Sequence, residues 1–178
     1  DYLIKNTPSQ FEKAFLLSAG TESTEVALKL MRMKGRIKHP RKVGIICFTG
    51  AYHGRTMGAQ FMNGPSSERD WISYNDPNIY HLNFPYPWQI DDPEEFFEKE
   101  ILNLINKNNL NPSQDICGFM LETYQGWGAI FYPEKFVKAI YNFSKKYDIL
   151  IAFDEMQAGF GRTGKLFGYQ HYGIEPDI

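Results

Sequence analysis

Ile149-Leu150-Ile151-Ala152-Phe153-Asp154-Glu155-Met156-Gln157 is the stretch on which the reading of the fold turns. Five apolar residues in a row are too few for a helix and too uniform for a half-solvated strand, so Ile149 to Phe153 reads as a strand buried on both faces. It ends on two carboxylates, Asp154 and Glu155, and runs into Gly159-Phe160-Gly161-Arg162-Thr163-Gly164. Carboxylates at the mouth of a buried strand need a cation, a metal or a ligand to answer them. A structural answer, with Asp154 pairing Arg162 or Lys165, stands beside the functional one.

Working outward, two more runs have the same character. Val43 to Phe48 is rich in β-branched residues and bounded by Gly50, and Ile116 to Leu121 ends at Glu122. Helices separate them. One reads from about Thr21 to Gly35, with Val26, Ala27, Leu30 and Met31 among its apolar positions. Asp92-Pro93-Glu94-Glu95 opens a second, with Asp92 as N-cap, Pro93 in the first turn and Glu95 closing a capping box. Its apolar face is Phe96, Phe97, Ile101, Leu104 and Ile105. Pro133 starts a third, which turns Phe136, Val137, Ile140 and Tyr147 inward and Lys135, Lys138, Lys145 and Lys146 outward. Residues 63–89, rich in Asn, Pro, Ser and Tyr, read as a long irregular excursion, functional or concealing short elements. Apolar strands alternating with helices predict an α/β fold, a mostly parallel sheet covered on both faces, with ligands at the carboxyl ends of the strands.

The composition agrees. The 178 residues carry 19 Lys+Arg against 21 Asp+Glu, a formal charge of -2, with 43% hydrophobic and 22% charged residues. This is globular composition rather than disorder, and it offers no basic footprint for nucleic acid or an anionic membrane. The longest apolar run is far too short to span a bilayer. Cys47 and Cys117 sit in apolar stretches and read as two reduced, buried thiols. No signal peptide is visible, which points to the cytoplasm. The sequence opens at Asp1 without Met and stops at Glu175-Pro176-Asp177-Ile178, at what reads as the start of a new element. It is expected to be a piece of a longer protein.

Four loops after the apolar runs carry the chemistry. Ser18-Ala19-Gly20-Thr21-Glu22-Ser23 stands at a helix start, where free N–H groups and the helix dipole favour an anion. Gly20 permits close approach and Thr21 adds a hydroxyl; plain capping by Ser or Thr is the alternative. In Gly50-Ala51-Tyr52-His53-Gly54-Arg55-Thr56, Tyr52 or His53 can stack on a flat ring or simply pack. Glu122-Thr123-Tyr124-Gln125-Gly126-Trp127-Gly128-Ala129 places a carboxylate at a strand end among glycines suited to turns. The fourth loop is Asp154 to Gly164.

Rival chemistries fit less well. Gly159 to Lys165 matches the spacing GxxxxGK, but Leu166 stands where a metal-holding Ser or Thr belongs, and the loop follows an Asp-Glu strand instead of preceding one. His39, His53, His81 and His171 are scattered and form no HExxH-type ligand set, so no metal is expected. There is no GxSxG elbow.

Taken together, Gly20-Thr21-Glu22, Tyr52-His53-Gly54, Glu122-x-x-Gln125-Gly126 and Asp154-Glu155-x-Gln157-x-Gly159-x-Gly161-Arg162-Thr163-Gly164 resemble the class III aminotransferases, from about Phe15 to Ile178. The resemblance implies the aspartate-aminotransferase-like large domain (fold type I) and pyridoxal 5'-phosphate as cofactor. It implies that Gly20 and Thr21 form a phosphate cup, that Tyr52 covers one face of the ring, and that His53 and Gly54 complete that signature. Asp154 would hold the pyridine nitrogen protonated, Gln157 would contact the ring hydroxyl and Glu122 would support the site. Glu25 matches a recurrent acidic position, or is a solvated helix-face charge, and Arg162 orders its glycine loop. The implied reaction moves an amino group from an amine or ω-amino acid to a keto acid or aldehyde, in a homodimer. A glutamate-semialdehyde-type aminomutase and a non-catalytic truncated cofactor domain are the alternatives.

The sequence departs from the family in two ways. Many members read EPxQGEGG in the third loop, whereas here Thr123 replaces Pro, Trp127 replaces the second Glu and Ala129 the last Gly. That Glu is associated with sorting dicarboxylate from ω-amino substrates, so Trp127 is expected to wall a different donor, an amino sugar or bulky amine. The family's Schiff-base lysine falls a few residues beyond Ile178, and Lys165 is not its equivalent. The chain is thus expected to be the central part of the large domain. The N-terminal segment, lysine region and C-terminal small domain would lie elsewhere, and the piece alone would be inactive.

Overall fold

The computed structural model describes residues 2–64 and 66–178. After a short helix α1 (Tyr2–Lys5), the chain runs extended to α2 (Gly20–Lys38). There follow β1 (Gly44–Phe48), α3 (Met57–Met62), a 3-10 helix (Ser66–Ile72) and β2 (Ile79–Leu82). Then come α4 (Pro93–Asn108), α5 (Pro112–Asp115), β3 (Ile116–Glu122), a small hairpin of β4 (Tyr124–Gln125) and β5 (Ile130–Phe131), α6 (Glu134–Tyr147), β6 (Leu150–Asp154) and a final 3-10 helix (Gly168–Tyr172). The main sheet is β2-β1-β3-β6 with every pair parallel. The expected α/β architecture is present.

Both faces of the sheet are covered, which is why its central strands are apolar throughout. On one face Ile46, Phe48, Phe119, Leu121, Ile151 and Phe153 meet Phe97 and Ile101 of α4 and Phe136 and Ile140 of α6. On the other, Ile45, Cys47, Cys117, Met120 and Ala152 meet Ala27, Leu28 and Met31 of α2 and Met62 of α3. Between β1 and β3 the register slips: Gly44 pairs with Ile116 but Ile45 pairs with Gly118, so Cys117 is the extra residue of a bulge. Gly118 is where α2 comes closest, since a Cβ there would lie 2.1 Å from Met31 Sδ. Both cysteines are buried and unpaired, as expected.

Local chemistry explains the helix ends. Asp92 accepts from the backbone N–H groups of Glu94 and Glu95, with Pro93 in the first turn of α4. Asn109 and Asp148 close α4 and α6 in the left-handed conformation. Residues 63–89 conceal β2 and a 3-10 helix, so that excursion is less irregular than its composition suggests. Phe15-Leu16-Leu17 forms no strand and is exposed, Leu16 at 85%. Beyond the last helix the chain returns to the sheet: Phe153 N–H donates to Ile178 O at 3.0 Å and Asp177 N–H to Ile151 O at 2.8 Å, along the free edge of β6.

The chain leaves β1 to form β2 on one side of it and returns to form β3 on the other. This reversal opens a crevice at the carboxyl ends of the strands, where open α/β sheets bind ligands. Among the described residues, no helix is long and apolar enough to cross a membrane.

Candidate active site

A cavity of about 350 Å³ occupies that crevice. It is lined by Gly20 and Thr21 from the start of α2, Tyr52 to Arg55 after β1, Glu122 to Tyr124 after β3, and Asp154 with Met156 to Ala158 after β6. The four loops that the sequence singles out, separated by up to 134 positions between Gly20 and Asp154, thus converge on one space.

At the α2 end, the N-cap is Ala19 and makes no side-chain cap bond, so capping by Ser or Thr does not account for the motif. The first intrahelical acceptor is Ala19 O, taken by Ser23 N–H, which leaves the N–H groups of Gly20, Thr21 and Glu22 without partners inside the helix. The Thr21 hydroxyl is engaged. Thr56 Oγ1 donates to the Glu25 carboxylate, so in the 2.9 Å contact between the two threonine hydroxyls Thr21 is the donor. The anion donor that Thr21 offers as it stands is therefore its backbone N–H. Gly54 is obligatory here: its φ is +134°, and a Cβ would fall 2.1 Å from Thr21 Oγ1. Glu25 is neither a solvated charge nor a cavity group. It accepts from Thr56, Gly58 N–H at 2.8 Å and Ala59 N–H at 3.1 Å, and so caps α3.

At the strand ends, Glu122 and Asp154 are register partners on adjacent parallel strands. Asp154 pairs with neither Arg162 nor Lys165; its Oδ2 lies 3.0 Å from His53 Nδ1, and its Oδ1 accepts from Met156 N–H at 3.1 Å. Lys165 donates instead to Gln170 O at 2.8 Å. Glu122 accepts from Tyr52 N–H at 3.3 Å and Gly126 N–H at 3.2 Å. Burial, with the Asp154 charge adding to it and His53 opposing it, pushes the Glu122 carboxyl up to about 7. Glu155 turns away from this pair and accepts from Thr123 Oγ1 and from the N–H groups of Gly168 and Tyr169, all within 2.8 Å. Thr123, at the position the resemblance associates with proline, thereby ties the third loop to the fourth.

Tyr52 is half-exposed at the cavity, with the Arg55 guanidinium 5.5 Å above its ring. Gln157 lines the same space, and Gly126 is pressed against it: a Cβ there would lie 2.5 Å from Gln157 Nε2 and 2.9 Å from Glu122 Oε1. Trp127 donates its indole N–H to Gly50 O at 2.9 Å and borders a second, larger cavity that shares Tyr52, Arg55 and Gln157 with the first. Thr24 and Asn63 also matter here, and as single polar residues they offer no pattern from which to find them.

This combination, a parallel α/β sheet with an amide-rich helix start and a buried Asp in one crevice, defines a cofactor-type cleft of the doubly wound kind. The sequence profile of the Aminotransferase class-III family matches residues 1–178. The chain is 34% identical over 190 residues to adenosylmethionine-8-amino-7-oxononanoate aminotransferase of Staphylococcus aureus, covering 99% of this chain and 40% of that protein. Among solved structures, a thermostable (S)-enantioselective omega-transaminase from Thermomicrobium roseum matches with TM-score 0.78 and 35% identity, over 90% of this chain and 37% of that one. A PLP-bound aminotransferase mutant from Vibrio fluvialis matches with TM-score 0.81 and 28% identity, over 99% of this chain and 40% of that one. The chain belongs to the class-III aminotransferase family. It spans about 40% of the length of the relatives it matches.

Proposed function

We propose that the crevice holds pyridoxal 5'-phosphate and that the natural protein transfers an amino group from an amine or ω-amino acid donor to a keto acid or aldehyde. The observation that carries this is Asp154: a carboxylate at the carboxyl end of a buried strand, opening into a cavity whose wall also includes the unpaired N–H groups of a 19-residue helix. The donor set fits a phosphorylated pyridine. Backbone amides suit a phosphate, a buried carboxylate suits a protonated ring nitrogen, and Tyr52 offers an aromatic face. Gly54, with no room for a Cβ against Thr21, keeps the anion end open to the backbone.

In this reading Gly20 and Thr21 bind the phosphate and Tyr52 covers the ring. Asp154 holds a proton on the pyridine nitrogen, Gln157 meets the ring hydroxyl, and His53, Gly54 and Glu122 support them. When bound, the cofactor supplies an electron sink for the carbanion left after a proton is removed from the donor carbon. Asp154 makes that sink effective by facing the ring nitrogen, and the His53 imidazole and Met156 N–H hold its two oxygens in place. Glu122, its carboxyl pushed up to about 7, is only partly ionised near neutral pH and so adds less than a full negative charge beside it. Trp127, held by its bond to Gly50 O, lines the adjoining cavity and suits a bulky or apolar donor. Among the described residues no lysine lines the crevice, and we read the chain as the central part of the large domain, with the covalent lysine supplied from outside residues 1–178. Its coverage of relatives at about 40% of their length supports this reading, and a homodimer is the assembly it implies.

The test uses the natural protein. It should bind pyridoxal phosphate and transaminate, and Asp154→Asn should lower kcat by about 100-fold or more with the protein still folded. Unchanged turnover in Asp154→Asn, or no cofactor binding by the wild type, would overturn the assignment.

A further inference from the structure

His53 belongs to the aromatic loop by sequence, but its side chain is wholly buried behind the crevice. Its backbone is held by buried side chains. Its N–H donates to Asn63 Oδ1 at 2.6 Å, and its carbonyl accepts from Thr24 Oγ1 at 2.7 Å. Asn63 completes the clamp by donating from Nδ2 to the carbonyl of Gly54 at 2.8 Å. Thr24 is on α2 and Asn63 closes α3, so two helices hold this one residue in place. Of its ring nitrogens, Nδ1 meets Asp154 Oδ2 at 3.0 Å, while Nε2 is buried with no partner among the described residues.

That asymmetry fixes the direction of the bond. A carboxylate oxygen only accepts, so Nδ1 carries the hydrogen, and the unpartnered Nε2 is left as a lone pair rather than as a buried donor with nothing to receive it. We infer that His53 is a positioning residue: through its Nδ1–H it holds the Asp154 carboxylate in place and aimed into the crevice. The role is distinct from stacking on a ring, and it rests on the pyridoxal phosphate reading only for the ligand that Asp154 meets. A charge-assisted hydrogen bond from a rigid, clamped donor is stronger than a neutral one and removes the rotational freedom of the acceptor. Without it, Asp154 keeps only the Met156 N–H among the described residues.

Two substitutions separate the bond from the bulk. His53→Phe keeps the ring volume and deletes the donor. His53→Asn gives up volume and restores an N–H near the Nδ1 position. Dissociation constants for pyridoxal phosphate are measured by fluorescence titration of the cofactor-free natural protein, with thermal unfolding in parallel. His53→Phe should bind about tenfold or more weakly, and His53→Asn within about threefold of wild type, whichever variant is the more stable. Wild-type affinity in His53→Phe, or equal weakening in both variants, would overturn the inference. If His53→Phe does not fold, nitrogen NMR of ¹⁵N-histidine-labelled wild type decides: the proton belongs on Nδ1, and an Nε2–H tautomer would refute the pairing. Failure of the wild type to bind the cofactor at all would refute the functional reading instead, and the NMR tautomer would still report on the pair.

Discussion

Glu122→Gln should uncouple folding stability from pH across the neutral range. The Glu122 carboxyl is buried, and its proton affinity is raised from the ordinary 4.5 to about 7. A carboxyl raised in the folded state keeps its proton where the unfolded chain has lost it. Stability from this group is therefore fully present below pH 4.5 and declines as pH climbs from there towards 7. That interval, at about 1.4 kcal/mol per pH unit, corresponds to roughly 3 kcal/mol. Gln does not titrate, so its curve lacks this decline. Gln does introduce a constant offset: its one oxygen serves only one of the Tyr52 and Gly126 N–H groups, leaving the other facing an NH₂, a loss of about 1 kcal/mol that is the same at every pH. The assay is urea unfolding of cofactor-free wild type and variant from pH 4.5 to 8, read as the difference between the two at each pH. The wild type should lose about 3 kcal/mol relative to the variant over this range. Parallel curves, or a wild type that gains relative stability as pH rises, would refute the reasoning.

Other perturbations address separate parts of the molecule. Gly54→Ala forces a Cβ to within 2.1 Å of Thr21 Oγ1 at a φ of +134°. It should lower stability by about 1–3 kcal/mol and weaken pyridoxal phosphate binding by tenfold or more, measured by thermal unfolding and fluorescence titration. Trp127→Ala removes the pinned ring from the larger cavity and should reorder amino donors by kcat/KM, about tenfold against bulky apolar ones, in the natural protein; an unchanged ranking would exclude Trp127 as a specificity wall. Lys42 is buried at the amino end of the sheet and donates to Ser113 O at 3.0 Å and Tyr147 O at 2.9 Å. Lys42→Met strands both carbonyls and should lower stability by about 1–3 kcal/mol in denaturant, with cofactor affinity unchanged because the site lies at the opposite end of the strands.

What the sequence makes visible follows from how strongly each element's surroundings constrain it. β1, β3 and β6 are covered on both faces, so their runs are apolar and legible. β2 is an edge strand with three of its four residues only half-buried, and Ile79-Tyr80-His81-Leu82 carries no decisive pattern. The 3-10 helix at Ser66–Ile72 is short and similarly silent. In the site, Gly20, Glu122 and Asp154 stand out because they sit where strands and helices end, and end positions are marked by local rules. Their partners do not: His53 reaches Asp154 across 101 positions, and Thr24 and Asn63 act through single bonds that leave no spacing to read. The likeness to a family found the His53 loop, but it gave no sign that the imidazole faces the carboxylate rather than a ring.

The register of the sheet poses an electrostatic problem that the loops resolve. Pairing β3 with β6 sets Glu122 and Asp154 side by side at the same level, two acids at the edge of an apolar core, and two adjacent ionised carboxylates there would repel strongly. Their surroundings differ in kind. Asp154 receives an imidazole N–H and a backbone N–H at the rim of the cavity, whereas Glu122 is more deeply enclosed and holds a proton up to about pH 7. Divergent environments are how one site gives neighbouring acids different proton affinities. Burial is the main cause of the difference, and the clamp on His53 adds to the asymmetry by delivering the imidazole hydrogen to β6 and not to β3. The same backbone turn also reaches Glu122, through Tyr52 N–H at 3.3 Å. The loop after β1 therefore contacts both strand ends at once, and exchanging His53 for a residue without a hydrogen to give would disturb Glu122 as well as Asp154.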